Sequence, residues 1–208
     1  MMTRVKICGI TTATDAVMAA TAGADAVGFN FWPGSKRYIE PARAMAMRHA
    51  LPPFTAAVGL FVDSDLGHVK QVAKECHLDY VQLHGHEGYR FVDELARVVP
   101  VIKAIRVQSE EDLNNLERYR AEAYLLDTYV PGKPGGTGET FDWELALPAR
   151  EFGPVILAGG LTPENVAEAV ERVRPYGVDA ASGVEAAPGR KDRELMEAFV
   201  RLAKGVAS

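Results

Sequence analysis

The chain has 208 residues, 48% of them apolar and 25% charged, and its 23 Lys+Arg against 28 Asp+Glu give a formal charge of -5. That composition suits one large globular domain or two small ones. It offers no basic run for a nucleic-acid backbone, no apolar stretch near the ~20 residues of a bilayer span, and no apolar centre of a secretory signal in MMTRVKICGITTATDAV. No nucleic-acid or membrane partner is therefore expected. Cys8 and Cys76 make no disulfide framework and fit a reducing, cytoplasmic setting.

Short runs rich in Val, Ile, Leu, Ala and Phe read in chain order as buried strands at Val5–Cys8, Ala26–Phe29, Ala57–Val62, Tyr80–Leu83, Val101–Ile105, Ala123–Leu126, Pro154–Leu157 and Val178–Ala181. Their midpoints recur roughly every 22 to 31 residues, the length of a strand plus a crossover helix. The segments between them carry helix signals. Thr11–Thr14 precedes the apolar run Ala16–Ala20, and Thr162-Pro163-Glu164 places Pro in a first helical turn. Asp192–Lys204 sets Leu195, Met196, Phe199 and Leu202 on one side. Eight βα units predict an α/β fold, a closed (βα)8 TIM barrel forming one domain over residues 1–208.

Catalytic groups of such barrels sit where strands end at the C-terminal face. The residues falling there are Cys8, Asn30, Asp63, His84, Arg106, Asp127, Gly159-Gly160 and Ser182-Gly183. Glycines let an oxyanion approach backbone N–H groups, and the loops after strands seven and eight are where barrels commonly hold phosphate. Gly159, Gly160, Ser182 and Gly183 are therefore candidate phosphate ligands. An acidic chain can build this site, because its donors are backbone amides.

Alternation along Val5-Lys6-Ile7-Cys8 puts Lys6 and Cys8 on one face. With Val5 and Ile7 packed outward, the thiol enters the barrel mouth above the ammonium. A neighbouring cation favours thiolate, which can act as base or nucleophile. Cys76, in Lys74-Glu75-Cys76-His77, reads as a structural residue. Asp127 closes an apolar strand and is either a general acid/base or the partner of a buried cation such as Lys6. Arg37 lies in Pro33-Gly34-Ser35-Lys36-Arg37-Tyr38, where its guanidinium could fork onto a carboxylate. The stretch Pro131–Gly138 reads as a mobile cover over the site. His84-Gly85-His86 could seed a metal site, but no histidine follows to complete it, so no metal is expected.

With these residues in view, the chain resembles the phosphoribosylanthranilate isomerases of tryptophan biosynthesis. The resemblance rests on Lys6–Thr11, Ser35–Tyr38, Val81–Gly85, Leu126–Thr128, Gly135–Gly138, Ala158–Leu161, Asp179–Glu185 and Gly189–Asp192, which run in family order through nearly the whole chain. It implies an Amadori rearrangement of N-(5'-phosphoribosyl)anthranilate to 1-(2-carboxyphenylamino)-1-deoxyribulose 5-phosphate. The residue matching Asp127 protonates the ribose ring oxygen, the ring opens to a Schiff base, and the residue matching Cys8 removes the C2 proton. Arg37 matches the residue that binds the anthranilate carboxylate. The glycine loops, with Asp179, Ser182 and Gly183, complete the substrate-binding set.

Other phosphosugar barrels would draw on different groups. An indole-glycerol-phosphate synthase relies on strand-end Lys and Glu, and a ribulose-phosphate epimerase on paired Asp, usually with a metal. A non-catalytic phosphate-binding barrel would use the same loops without chemistry. Monomer and homodimer are both compatible with the sequence. Phe54 and Phe61 are interface candidates, with core packing the favoured reading of each.

Overall fold

A computed structural model describes residues 2–128 and 143–205. Eight parallel strands close into a barrel: β1 Arg4–Cys8, β2 Ala26–Asn30, β3 Ala56–Phe61, β4 Tyr80–Leu83, β5 Val101–Val107, β6 Ala123–Thr128, β7 Val155–Leu157 and β8 Gly177–Ala180. Each expected strand is present, most of them displaced by a residue or two at an end. Pairing of β1 with β8 closes the ring, with Lys6 in register with Asp179.

Alternation along the strands divides the core in two. Val58, Ile102, Ala104, Ala123, Leu125, Ile156 and Ala158 fill the barrel interior. Residues one step out of phase, among them Val5, Ile7, Val27, Phe29, Leu126 and Val178, pack outward in the larger cluster that includes the helices. Full burial of a side chain such as Phe29 or Leu126 stabilises by about 1.5–3 kcal/mol.

The covering helices are α1 Ala13–Thr21, α2 Pro41–Ala50, α3 Leu66–Glu75, α4 Tyr89–Leu95, α5 Val166–Val173 and α6 Arg193–Gly205. Thr12 caps α1 by accepting from the Asp15 N–H, and Asp65 caps α3 by accepting from that of His68. Each such cap contributes about 1 kcal/mol. On α6 the buried stripe is Met196, Phe199, Val200 and Ala203. Leu195 and Leu202 flank it, partly buried.

The fifth unit departs from the expected pattern. β5 is followed by 3-10 turns at Glu110–Leu113 and Leu116–Arg118 instead of a helix. The reason is local. The Asp112 carboxylate caps the backbone of Gln108 and Ser109, and Asn115 takes a left-handed φ of 67°, which ends helical propagation. Leu113 and Leu116 still bury, so the turns cover the barrel with two anchors. In the seventh unit, α5 begins at Val166, after a turn in which Asn165 Oδ1 accepts from the Thr162 N–H. The expected cover Pro131–Gly138 lies outside the described residues.

Of the two interface candidates, Phe61 is fully buried, as expected. Phe54 is fully exposed with φ 71°, so core packing is the wrong reading of it. A left-handed residue between Pro53 and Thr55 turns its side chain away from the barrel.

Candidate active site

At the C-terminal mouth, one cavity is lined by Cys8, Arg37, His84, Arg106, Asp127, Gly159, Gly160, Asp179 and Ser182, among others. The residues expected from strands one, six, seven and eight thus share one space with Arg37. Gly183 does not line it. A Cβ there would collide with the Leu161 carbonyl oxygen, so this glycine is required for loop eight to lie against loop seven.

Cys8 ends β1 with its thiol buried over Gly28, the residue beside it on β2. Behind it, Lys6 Nζ donates to Asp179 Oδ1 at 2.9 Å, both groups buried. This settles Lys6's partner as Asp179, the residue in register across the closing seam, and leaves Asp127 free of that duty. Asp179 borders the cavity, but one of its oxygens is held by the lysine. The expected thiolate preference is reversed. Burial lifts the Cys8 thiol above its ordinary value, and the Lys6 ammonium recovers only part of the shift because Asp179 opposes it. The ammonium itself stays protonated: burial works against it, but Asp179 holds it above its ordinary value.

Across the mouth, Asp127 Oδ2 lies 3.1 Å from His84 Nε2, and His84 Nδ1 lies 3.0 Å from Gln82 Nε2. His84 bridges Gln82 and Asp127 through its two ring nitrogens. Gln82, His84 and Asp127 thus form a chain that orients one carboxylate oxygen. Gln82 Oε1 is buried with no partner among the described residues. His86 turns away from His84 and meets Asp63 at 3.2 Å, so the two rings do not converge.

The loop carrying Arg37 is pinned from β2. Asn30 Oδ1 accepts from the Trp32 N–H, Asn30 Nδ2 donates to Ser35 Oγ, and Ser35 Oγ accepts from the Arg37 N–H. The Arg37 stem packs on Gly9, whose φ of 75° and lack of Cβ make room for it. Its guanidinium is already forked onto Glu185: Nε and Nη2 donate to Oε1 and Oε2, each at 2.7 Å. Glu185 also accepts from Lys191 Nζ at 2.9 Å, and that ammonium donates to the Ala181 carbonyl. Glu185 and Lys191 lie on a hairpin, β9 Glu185–Ala187 with β10 Arg190–Lys191, that sequence reasoning did not anticipate. Both stood within recognised blocks, but nothing local in the sequence tied them to Arg37.

A second buried pair supports the floor of loop four. Lys103 Nζ donates to Glu87 Oε2 at 2.9 Å and to the Gly85 carbonyl at 2.7 Å. Glu87 in turn accepts from the N–H groups of Asp63 and Gly85. His84 is thereby fixed from below by its own loop.

Loops seven and eight provide backbone donors. Gly159 and Gly160 have φ of 81° and 66°, and among the described residues their N–H groups meet no acceptor. Such paired free amides beside a barrel mouth suit an anion. The site therefore combines a carboxyl, a thiol, guanidinium groups and an anion cradle, a set able to move protons on a bound phosphosugar.

Residues 5–202 match the family model for N-(5'phosphoribosyl)anthranilate (PRA) isomerase. An N-(5'-phosphoribosyl)anthranilate isomerase of Geotalea uraniireducens is 54% identical over 205 residues, 99% of this chain and 100% of the relative. Among solved structures, a phosphoribosyl anthranilate isomerase in complex with reduced 1-(o-carboxyphenylamino)-1-deoxyribulose 5-phosphate is 44% identical, with TM-score 0.89 over 98% of this chain and 100% of that one. Monomers generated from the dimeric phosphoribosylanthranilate isomerase of Thermotoga maritima are 43% identical, with the same TM-score and coverage.

Proposed function

Because the chain belongs to the N-(5'-phosphoribosyl)anthranilate isomerase family, whose members convert that compound to 1-(2-carboxyphenylamino)-1-deoxyribulose 5-phosphate in tryptophan biosynthesis, we propose that it performs the conversion by acid–base catalysis between Asp127 and Cys8. The observation that carries this reading is the placement of the carboxyl and the thiol in one cavity beside the glycine loops.

In this scheme Asp127, oriented by His84, protonates the ribose ring oxygen. The C1–O bond breaks as the nitrogen lone pair forms the Schiff base. The cationic nitrogen acidifies C2–H, Cys8 takes that proton as thiolate, and the electron pair neutralises the nitrogen as an enolamine. Tautomerisation to the aminoketose follows, with the C2 hydroxyl proton lost and C1 protonated. Atoms and electrons are redistributed within the substrate, so the scheme calls for no cofactor or metal.

Gly159, Gly160, Ser182 and Gly183 form the phosphate end, with Gly183 acting through loop packing. Asp179 acts by holding Lys6 behind the thiol. Arg37, braced by Glu185, turns its remaining Nη1 edge to the substrate. A cytoplasmic location belongs to the same reading.

The test is turnover of phosphoribosylanthranilate followed by loss of its fluorescence. Wild-type activity should fall roughly 10²–10⁴-fold in Asp127→Asn and in Cys8→Ala, with far-UV spectra unchanged. Wild-type-like kcat in either folded variant would remove that residue from the scheme.

We also propose a homodimer through the N-terminal face of the barrel. Fully exposed Phe54, with exposed Met2, Val98 and Tyr176, lies on the segments that lead into strands at that end. Phe54→Glu should convert the sedimenting species to monomer without lowering kcat, and an unchanged species would exclude this surface.

A further inference from the structure

Gln82 places an amide inside the barrel, where the surroundings are apolar. On β4 it shares its phase with His84, two positions on. Its ladder neighbours are Leu60 on β3 and Ile102 on β5, and the interior around that level includes Val58, Ala104 and Leu125. Gln82 is 0% exposed, so it has no surface with which to touch substrate.

One end of this amide is used and the other is not. Nε2 lies 3.0 Å from His84 Nδ1, while Oε1 is buried with no partner among the described residues. Neighbouring buried polar side chains are matched: Lys6 by Asp179, Lys103 by Glu87, and Asn30 by Ser35 and the Trp32 N–H. Turning the amide over only exchanges the end that meets His84. An unpaired buried polar atom destabilises a fold, and an apolar side chain of the same length would not carry that penalty. Stability alone therefore gives no reason for an amide at this position. Its contact with His84 does.

His84 and Asp127 line the cavity, with His84 Nε2 3.1 Å from Asp127 Oδ2. An imidazole with nothing behind it can change rotamer, and either nitrogen can carry its proton. An amide end is either a donor or an acceptor. Held against Nδ1, it admits one neutral tautomer of the ring and fixes the plane in which Nε2 meets the carboxyl.

We propose that Gln82 is a positioning residue for the acid. It locks His84 in one orientation and one tautomer, and through His84 it sets the Asp127 carboxyl, while its unpaired oxygen lowers the stability of the fold. The inference rests on the isomerase reading of Asp127 and adds a residue buried beneath the site to it.

Gln82→Met keeps the length of the side chain and removes the amide. It should lower kcat about 10–100-fold, as for a displaced catalytic group, with KM changed less than about twofold. In a His84→Ala background the same substitution should change kcat less than about twofold, because the amide then has no ring to hold. The Tm of Gln82→Met should equal that of wild type or exceed it by up to about 4 °C. Nitrogen NMR of the His84 ring, read without substrate, should show one tautomer in wild type and an average of both in Gln82→Met. Unchanged kcat, equal losses in the two backgrounds, or ring signals indifferent to the substitution would overturn the positioning role. A lowered Tm would overturn the stability half of the proposal. Failure of wild type to turn over phosphoribosylanthranilate would overturn the isomerase reading, and the ring signals would still decide whether Gln82 sets His84.

Discussion

A Cβ placed on Gly28 would stand 2.8 Å from Cys8 Sγ and 3.2 Å from Lys6 Cε. The bare backbone of β2 is therefore the space in which the thiol and its neighbouring ammonium fit. Gly28→Ala should displace Cys8, because the next contact, at 3.1 Å, is the backbone Cα of Cys8 and cannot swing away. Overpacking of this kind costs about 1–3 kcal/mol. Thermal melts should show that loss, and kcat should fall by far more than KM rises. Unchanged kcat would mean the thiol does not need this seat.

Burial raises the Cys8 thiol, with Lys6 opposing. The protonated form is thus favoured in the folded chain. Its contribution to stability is complete below the ordinary thiol value of about 8.5 and declines as pH rises through the higher folded value. If thiolate is the base, kcat/KM should keep climbing above pH ~8.5 instead of levelling there. Alkylation of Cys8 against pH, in a Cys76→Ala background, gives the midpoint directly. A midpoint below the ordinary value would refute this.

Glu185 behaves in the opposite sense. Burial works against its ionisation, but Arg37 and Lys191 hold the carboxyl below its ordinary value. Its stabilisation is present above the unfolded carboxylate value of about 4.3 and is lost as pH falls through the lower folded value. The melting temperatures of wild type and Glu185→Gln should differ most near neutrality and converge in acid. The variant should also raise KM, since the Arg37 guanidinium loses its brace. A gap that stays constant with pH would show that the lost contact is steric.

Lys103→Met removes the cation from a pair in which both side chains are 2% exposed. Leaving the Glu87 carboxylate buried without a countercharge should cost about 3–5 kcal/mol. For a chain this long, that is on the order of 10 °C in Tm. Exposed Lys70→Met, which breaks a surface pair with Glu94, should shift Tm far less. Similar shifts for the two variants would deny the buried pair its structural weight.

The barrel was legible because its strands are buried on both faces and recur at one βα period. The placement of Cys8 and Asp127 at the mouth was legible because they close apolar strands. Their partners were not. Lys6 meets Asp179 across 173 positions, and Arg37 meets Glu185 across 148. Such pairings depend on ring closure and strand register, which no local pattern records. The state of the thiol was misread for a related reason. The adjacent ammonium is visible in the sequence, whereas the burial that outweighs it, and the Asp179 that spends part of its charge, belong to the folded chain. The missing fifth helix turned on Asn115 and the Asp112 cap, both present in the sequence but weaker as signals than the repeat around them.

The seam between β1 and β8 also orders events in time. Arg4 through Ile7 find their strand partners at Gly177 through Ala180, so the barrel's first strand waits for its last. Until then the Lys6 ammonium has no anion to neutralise it and no reason to leave water. Growth of the chain and assembly of the catalytic centre are thus decoupled until the final unit is made. A nascent chain stopped short of it would carry Cys8 without its enclosure, and catalytic competence would arrive with the closing strand as a single late event.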